Sequence, residues 1–287
     1  MEWLKSINDA LDYLEEHLEE PFAVTKIAEI AASSPFHFQR MFYILTGSTL
    51  VEYLRKRRLT IAAQELAATK VKVLEIALKY GYDSPESFSK AFRKMHGVSP
   101  SAVRKPGSTL KAYPRISFYL SLKGDQEMDY KIIEQQAFQV IGKAKQISTR
   151  DGINFKQIPE FWQASCAEQI CENLTPYNKT ENLLGICLDH KMEEETFTYM
   201  IAVESECKSA PTEFITRTIP ASTWAVFTSI GPMPSAIQKV FERIYQEWFP
   251  STNYEHAGTA ELEVYLPGNN SADDYRCEVW IPIKKIN

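Results

Sequence analysis

A chain of 287 residues, 44% hydrophobic and 24% charged, has the length for two domains and the balance of a globular protein. Its net charge of −5 is uneven: residues 1–20 sum to 1 − 7 = −6, residues 21–107 to 14 − 6 = +8, and residues 108–287 to 17 − 24 = −7. The five cysteines all fall in the second half without a CxxC pair, the histidines are scattered, and no GxxxxGK or GxGxxG string occurs, which argues against a disulfide framework, a zinc site or a nucleotide cofactor.

The acidic first twenty residues contain no apolar run of signal-peptide length, and no later segment approaches the roughly 18 apolar residues of a membrane span. The expectation is a cytoplasmic protein with no cofactor, no metal and no membrane. A basic block inside an acidic chain suits a polyanionic partner, although Lys and Arg that merely solvate helix surfaces would give the same sum.

In chain order, Leu4, Ile7, Leu11, Leu14 and Leu18 step by three and four, one face of a helix that ends before Pro21. A short helix is expected from Thr25 to Ala32. Ser34 then reads as an N-cap with Pro35 at the first helical position, and Gly47 stops that helix. The same signals return about fifty residues on. SPFHFQRMF, Ser34 to Phe42, is nearly repeated in SPESFSKAF, Ser84 to Phe92, with Gly47 matched by Gly97 and Ile27-Ala28 by Ile76-Ala77. Each copy reads as helix, tight turn, helix, the arrangement that presents a second helix to a major groove. Thr49 to Thr69, with the basic run Arg55-Lys56-Arg57-Arg58, predicts one continuous connecting helix. At 1.5 Å per residue it spans roughly 30 Å, close to the ~34 Å between successive groove segments.

The strings IAEIAASSPFHFQRMFYILTGSTLVEYLRKRRLTIAAQEL and VLEIALKYGYDSPESFSKAFRKMHGVSPSAVRK resemble the DNA-binding domain of the AraC/XylS family of transcription regulators. The resemblance implies that Phe36, Gln39 and Arg40 face DNA in the first copy, and Pro85, Glu86, Ser87 and Lys90 in the second. It makes Phe38, Met41 and Phe42 core residues. Arg40 could fork onto guanine, worth about 1–3 kcal/mol of discrimination, and Gln39 could pair with adenine. Glu86 could accept from cytosine or simply be a first-turn acid favoured by the helix dipole. The first copy departs from the family in one place: Ala32-Ser33 stands where a glycine usually opens the turn.

After residue 107 the helical spacing vanishes, and residues 108–127 read as a joint with a short strand at Ile116 to Leu122. The remainder alternates. Strands are expected at Tyr130 to Ile147, Leu183 to Leu188 and Phe197 to Val203, with a helix at Phe155 to Cys171. The order then recurs with strands at Phe214 to Ile230, Ala260 to Leu266 and Tyr275 to Ile283 and a helix at Pro234 to Trp248. The expected fold is therefore an all-α double helix-turn-helix domain (1–107) followed by an α+β domain of two βαββ repeats (128–287). Alternation in AELEVYL and CEVWIPI sets Glu261, Glu263 and Tyr265, and likewise Glu278 and Trp280, on the nominally exposed side, where acids framed by aromatic rings would suit an organic cation.

IPASTWAVFTSIGP, AELEVYLPG and CEVWIPIKK are similar to the GyrI-like effector-binding domain. That resemblance implies a glutamate on the strand before the last as counter-charge for lipophilic cations, here Glu263. Tyr265, Trp224, Trp280, Trp162 and Phe161 are the candidate walls. The two resemblances together imply an activator of transcription that binds promoter DNA, senses a small molecule as multidrug sensors do, and engages RNA polymerase. The alternative is a GyrI-like hydrolase of a reactive small molecule fused to a DNA-binding domain, with Glu263 as general base.

Overall fold

The computed structural model describes residues 2–105, 108–118, 127–150, 153–191, 194–207 and 211–286. The chain divides into two compact units, Met1–Pro35 with Leu50–Ser121, and Phe36–Thr49 with Leu122–Asn287. The helical part runs α1 (Glu2–Glu16), α2 (Val24–Ile30), α3 (Pro35–Thr46), α4 (Leu50–Ala68), α5 (Val73–Lys79) and α6 (Pro85–His96). All of α3 after Pro35 belongs to the second unit.

In the first unit, α4 is the central strut. Leu59, Leu66, Ile76, Phe88 and Phe92 form its main apolar cluster, closed by Val103 of a short 3-10 turn at Pro100–Arg104. The basic run on α4 is largely structural. Arg57 donates to both carboxylate oxygens of Glu15 on α1 and to the Tyr113 carbonyl, while Arg58 donates to the Leu18 carbonyl at the end of the α1 segment. α6 carries the expected signals: the Ser84 side chain accepts from the Ser87 N–H at 3.1 Å, Pro85 opens the helix, and Gly97 at φ 79° ends it.

The turn before α3 solves its problem without glycine. Ala32 takes φ 48°, the left-handed conformation that Gly81 takes at φ 77° in the second copy. The strand expected at 116–122 is absent over 116–118, and 119–122 lie outside the described residues. The reason is that side chains have taken its backbone groups: Tyr53 accepts from the Ile116 N–H, and Asn8 bonds both the N–H and the carbonyl of Phe118.

The second unit holds β1 (Tyr130–Gln135), β2 (Phe138–Ser148), α7 (Asn154–Ala167), α8 (Ile170–Leu174), β3 (Leu183–Lys191), β4 (Thr196–Glu204), β5 (Ile215–Ile219), β6 (Ser222–Ile230), α9 (Ser235–Arg243), β7 (Tyr254–His256), β8 (Glu261–Tyr265) and β9 (Arg276–Lys285). α9 continues as a π-helical turn, Ile244–Trp248. One antiparallel sheet runs β1-β6-β9-β8-β3-β4-β2-β5, with β7 paired to β9. Exchanging β1 with β5, β2 with β6, β3 with β8 and β4 with β9 reverses that order onto itself. The two repeats are therefore related by a pseudo-twofold axis between β3 and β8.

Each repeat opens with two strands where the sequence suggested one. In the second repeat the cause is Pro220, which has no N–H for a ladder and ends β5 before β6 begins. The register also corrects the expected strand faces. Leu262 pairs with Trp280 and Glu263 with Val279, so Trp280 shares a face with Leu262 and Trp224, while Tyr265 pairs with Cys277 on the other face beside Glu263. Alternation fixes faces within a strand, whereas the pairing between strands decides which faces meet.

Candidate DNA-reading helices and ligand cavity

On α6 the face expected to meet DNA is open. Glu86, Ser87 and Lys90 are exposed, Pro85 is half-buried, and the outward side also carries Arg93 and Lys94. Glu86, Ser89, Lys90, Arg93 and Lys94 line a shallow depression. Arg93 and Lys94 went unnamed in the sequence reading, although their spacing of three and four from Lys90 puts them on its side of the helix.

The situation on α3 differs. Phe38, Met41 and Phe42 are buried as core residues, and Phe36, Gln39 and Arg40 are half-buried. Arg40 forks onto Glu261 of β8: its Nε donates to Oε1 at 2.7 Å and an Nη to Oε2. The Tyr245 hydroxyl donates to the same Oε1 at 3.3 Å, and His256 Nε2 lies 3.2 Å from it. Glu261 is 1% exposed. Burial pushes its carboxyl up, but the Arg40 charge, the adjoining His256 ring and the bonds from Arg40 hold it well below the ordinary range. Around this pair the Phe36 ring meets His190 and His256, the His256 N–H donates to His37 Nδ1 at 3.1 Å, Tyr43 bonds Asn154, and Thr49 donates to Glu195 at 2.7 Å. Burial, with the charges of His256 and Lys284, lowers the His37 pKa to about 3, so this contact is made by a neutral ring.

Above the β3/β8 join lies a cavity of about 860 Å³. α7 supplies Ile158 and Trp162 to its lining, α9 supplies Ile237 and Phe241, and the sheet supplies Glu263 and Tyr265; Arg40, Tyr43 and Ile44 of α3 also line it. Helices from both repeats thus flank the pseudo-twofold axis. Glu263 accepts from the Tyr199 hydroxyl at 2.6 Å and from the Tyr265 hydroxyl at 3.0 Å, and Trp162 Nε1 donates to Tyr199 at 2.9 Å. The Trp162 ring meets Tyr265 edge-on. Burial raises the Glu263 carboxyl, the two tyrosine hydroxyls pull it back, Glu261 pushes it up again and Arg40 lowers it, with a net shift upward. Burial and the Glu263 charge keep both phenols protonated, as donors.

Among the residues named from sequence, Glu263, Tyr265 and Trp162 come together here. Phe161 packs in the apolar cluster beneath with Tyr199 and Cys187. Trp224 and Trp280 lie on the opposite face of the sheet, in another apolar cluster and 5.9 Å apart. Two residues escaped sequence reading. Tyr199 alternates with Phe197 and Ile201 and looks like plain core. Gly185 pairs with Glu263 in the ladder, and a Cβ there would lie 2.2 Å from the Tyr199 hydroxyl and 2.6 Å from Glu263 Oε2. Its missing side chain makes room for the Tyr199–Glu263 bond.

Comparison with known proteins fits both parts. Residues 128–284 match the GyrI-like small molecule binding domain, and residues 27–106 match a helix-turn-helix domain. The chain is an AraC-type regulator with a GyrI-like domain. The transposon Tn10 TetD protein of Escherichia coli is 43% identical over 34% of this chain and 72% of its own length. Regulatory protein SoxS of E. coli K12 is 37% identical over 35% of this chain and 94% of its own. The right origin-binding protein of the same strain is 26% identical over 97% of this chain and 98% of its own, so it matches both parts in one polypeptide. The structure of SAV2435 bound to tetraphenylphosphonium, 22% identical, has the same fold over 55% of this chain and 94% of its own, with a TM-score of 0.50. This AraC-type, GyrI-like chain is a DNA-binding transcription regulator with a small-molecule-binding domain. Among the described residues no helix is long and apolar enough to cross a membrane.

Proposed function

We propose that the protein activates promoters in the cytoplasm in response to a lipophilic cation, with residues 1–107 as the DNA-binding domain, 108–127 as the joint and 128–287 as the sensor. The observation that carries the ligand class is Glu263: a half-buried carboxylate under an 860 Å³ cavity, framed by the Trp162 and Tyr265 rings. A cation entering there gains a counter-charge in a low-dielectric site and aromatic faces for its apolar surface. Gln39 and Arg40 of α3 read bases, with Phe36 beside them. Pro85, Glu86, Ser87 and Lys90 of α6 meet the second groove segment, where Arg93 and Lys94 add charge for phosphates. RNA polymerase is the partner through which bound protein raises transcription.

We read the cavity as a binding site rather than a catalytic one. Its carboxylate already accepts from two tyrosine hydroxyls, which occupy it as hydrogen-bond donors and leave its charge facing the cavity. The test is calorimetric titration of tetraphenylphosphonium and of a neutral analogue of equal size into the full-length protein. Saturable binding of the cation, weakened at least tenfold in Glu263→Gln while the neutral analogue is unaffected, supports the reading. Equal loss for both ligands, or turnover of either, overturns it.

A further inference from the structure

Arg40 is claimed twice. It is the proposed base-reading residue of α3, and in this structure it is also the cation held by the Glu261 carboxylate of β8. A guanidinium forked onto Glu261 cannot at the same time fork onto guanine, because both interactions use the same edge of N–H donors. DNA recognition by α3 therefore needs a state in which Arg40 has left Glu261.

That state changes the cavity. Glu261 and Glu263 are alternate residues of β8 and share a face, roughly 7 Å apart along the strand. With Arg40 docked, its charge offsets both carboxylates and lines the same cavity. A cation arriving at Glu263 then meets a fixed positive neighbour. With Arg40 withdrawn, two carboxylates share one largely buried face without it, and a cation there gains attraction from both and repulsion from neither.

We propose that lipophilic cation and DNA are positively coupled through Arg40, each ligand favouring the form in which Arg40 is released from Glu261. This rests on the reading of Arg40 and Glu263 given above and adds the direction of regulation: the cation raises DNA affinity. The docked form is autoinhibited. It is held by more than one bond, since Tyr43–Asn154 and His256–His37 fasten the same helix, and Thr49–Glu195 the segment that follows it, to the same unit. Only the released fraction binds DNA in its reading register, so the apparent DNA affinity of the free protein is reduced by that fraction. Coupling between two binding equilibria is reciprocal, so DNA must tighten the cation by the factor by which the cation tightens DNA.

The experiment uses the full-length protein, a duplex selected by it from a random library, and tetraphenylphosphonium. The duplex Kd is measured with and without saturating cation, and the cation Kd with and without duplex. The expected result is an equal tightening in both directions, on the order of fivefold or more. Glu261→Gln removes the charge that holds Arg40 and is expected to tighten duplex several-fold without cation and to shrink the cation effect. Thr49→Ala loosens the segment just after the same helix, away from the ion pair, and is expected to tighten duplex as well, which covers the case in which Glu261→Gln folds poorly. Cation that binds yet leaves duplex affinity unchanged overturns the coupling while leaving the sensor reading intact. Cation that does not bind at all overturns the sensor reading, and the two variants still decide the lock: unchanged or weaker duplex affinity in both sinks it.

Discussion

Ala32 and Gly81 occupy matching turns in left-handed conformation, but they differ in what surrounds them. A side chain in that region costs about 1–2 kcal/mol. Ala32 carries that strain on an exposed turn. At Gly81 an added Cβ would also come within 2.9 Å of Arg58 Nη1, the side chain that holds the Leu18 carbonyl. Ala32→Gly is therefore expected to raise stability by about 0.5–1 kcal/mol after the entropic cost of glycine, and Gly81→Ala to lower it by about 1–3 kcal/mol. Urea midpoints of the two variants check both signs. Glu263 gives a pH signature. Its folded pKa lies above the unfolded value of 4.5, so the ionised folded form is disfavoured: this group costs nothing below that pH and increasingly destabilises as pH rises through 4.5 to the folded pKa. Glu263→Gln should melt higher than the parent at pH 7–8, with a gap that closes towards pH 4. A gap constant with pH would remove the titration of Glu263 from the account. Glu261 has the opposite sign, because its lowered pKa adds stability above 4.5 that is lost on acidification.

At the scale of elements, the β3/β8 join concentrates the chemistry. The pseudo-twofold brings α7 and α9 to either side of it, and the ladder sets Gly185 against Glu263. Gly185→Ala must displace both the Tyr199 hydroxyl and the Glu263 carboxylate, since each falls inside 3 Å of the new methyl. The expected cost is about 1–3 kcal/mol of stability, together with weaker cation binding, read by thermal melting and calorimetry on the same sample. Leu184→Met in the same strand, directed to the opposite face, should leave cation affinity alone. The element boundaries that sequence periodicity predicted were close: the helices from Val24 to His96 begin and end within about two residues of the cap and glycine signals, because caps and stops are local chemistry. The broken first strand of each repeat was less legible, since pairing partners decide where a strand changes neighbours. β1 pairs with β6 and β5 with β2, exchanges across the two halves that no local pattern encodes.

For the whole molecule, the proposed division of labour between α3 and α6 predicts distinct salt behaviour. Lys90 and Lys94 are exposed cations on α6. Lys90→Ala should weaken specific and random duplex alike and reduce the slope of log affinity against log salt by about one. Arg40→Ala should erode the preference for the selected duplex far more than binding to random DNA. Filter binding over a salt series separates the two.

The sequence by itself determined the double helix-turn-helix and the α+β repeats, because caps, turns and hydrophobic periods are set by neighbours along the chain; the families and the carboxylate at Glu263 came from the resemblance of its motifs. It also carried the ambiguity of the basic block: Arg57 and Arg58 proved to be fastenings within the helical unit, as their partners 40 or so residues away require. Tertiary structure alone decided which strand faces meet, and so removed Trp224 and Trp280 from the cavity side and brought Tyr199 and Gly185 into it. It alone joined Arg40 to Glu261, 221 residues apart. An ion pair of that separation has no signature in either local sequence, and it exists only where folding has buried both charges against each other.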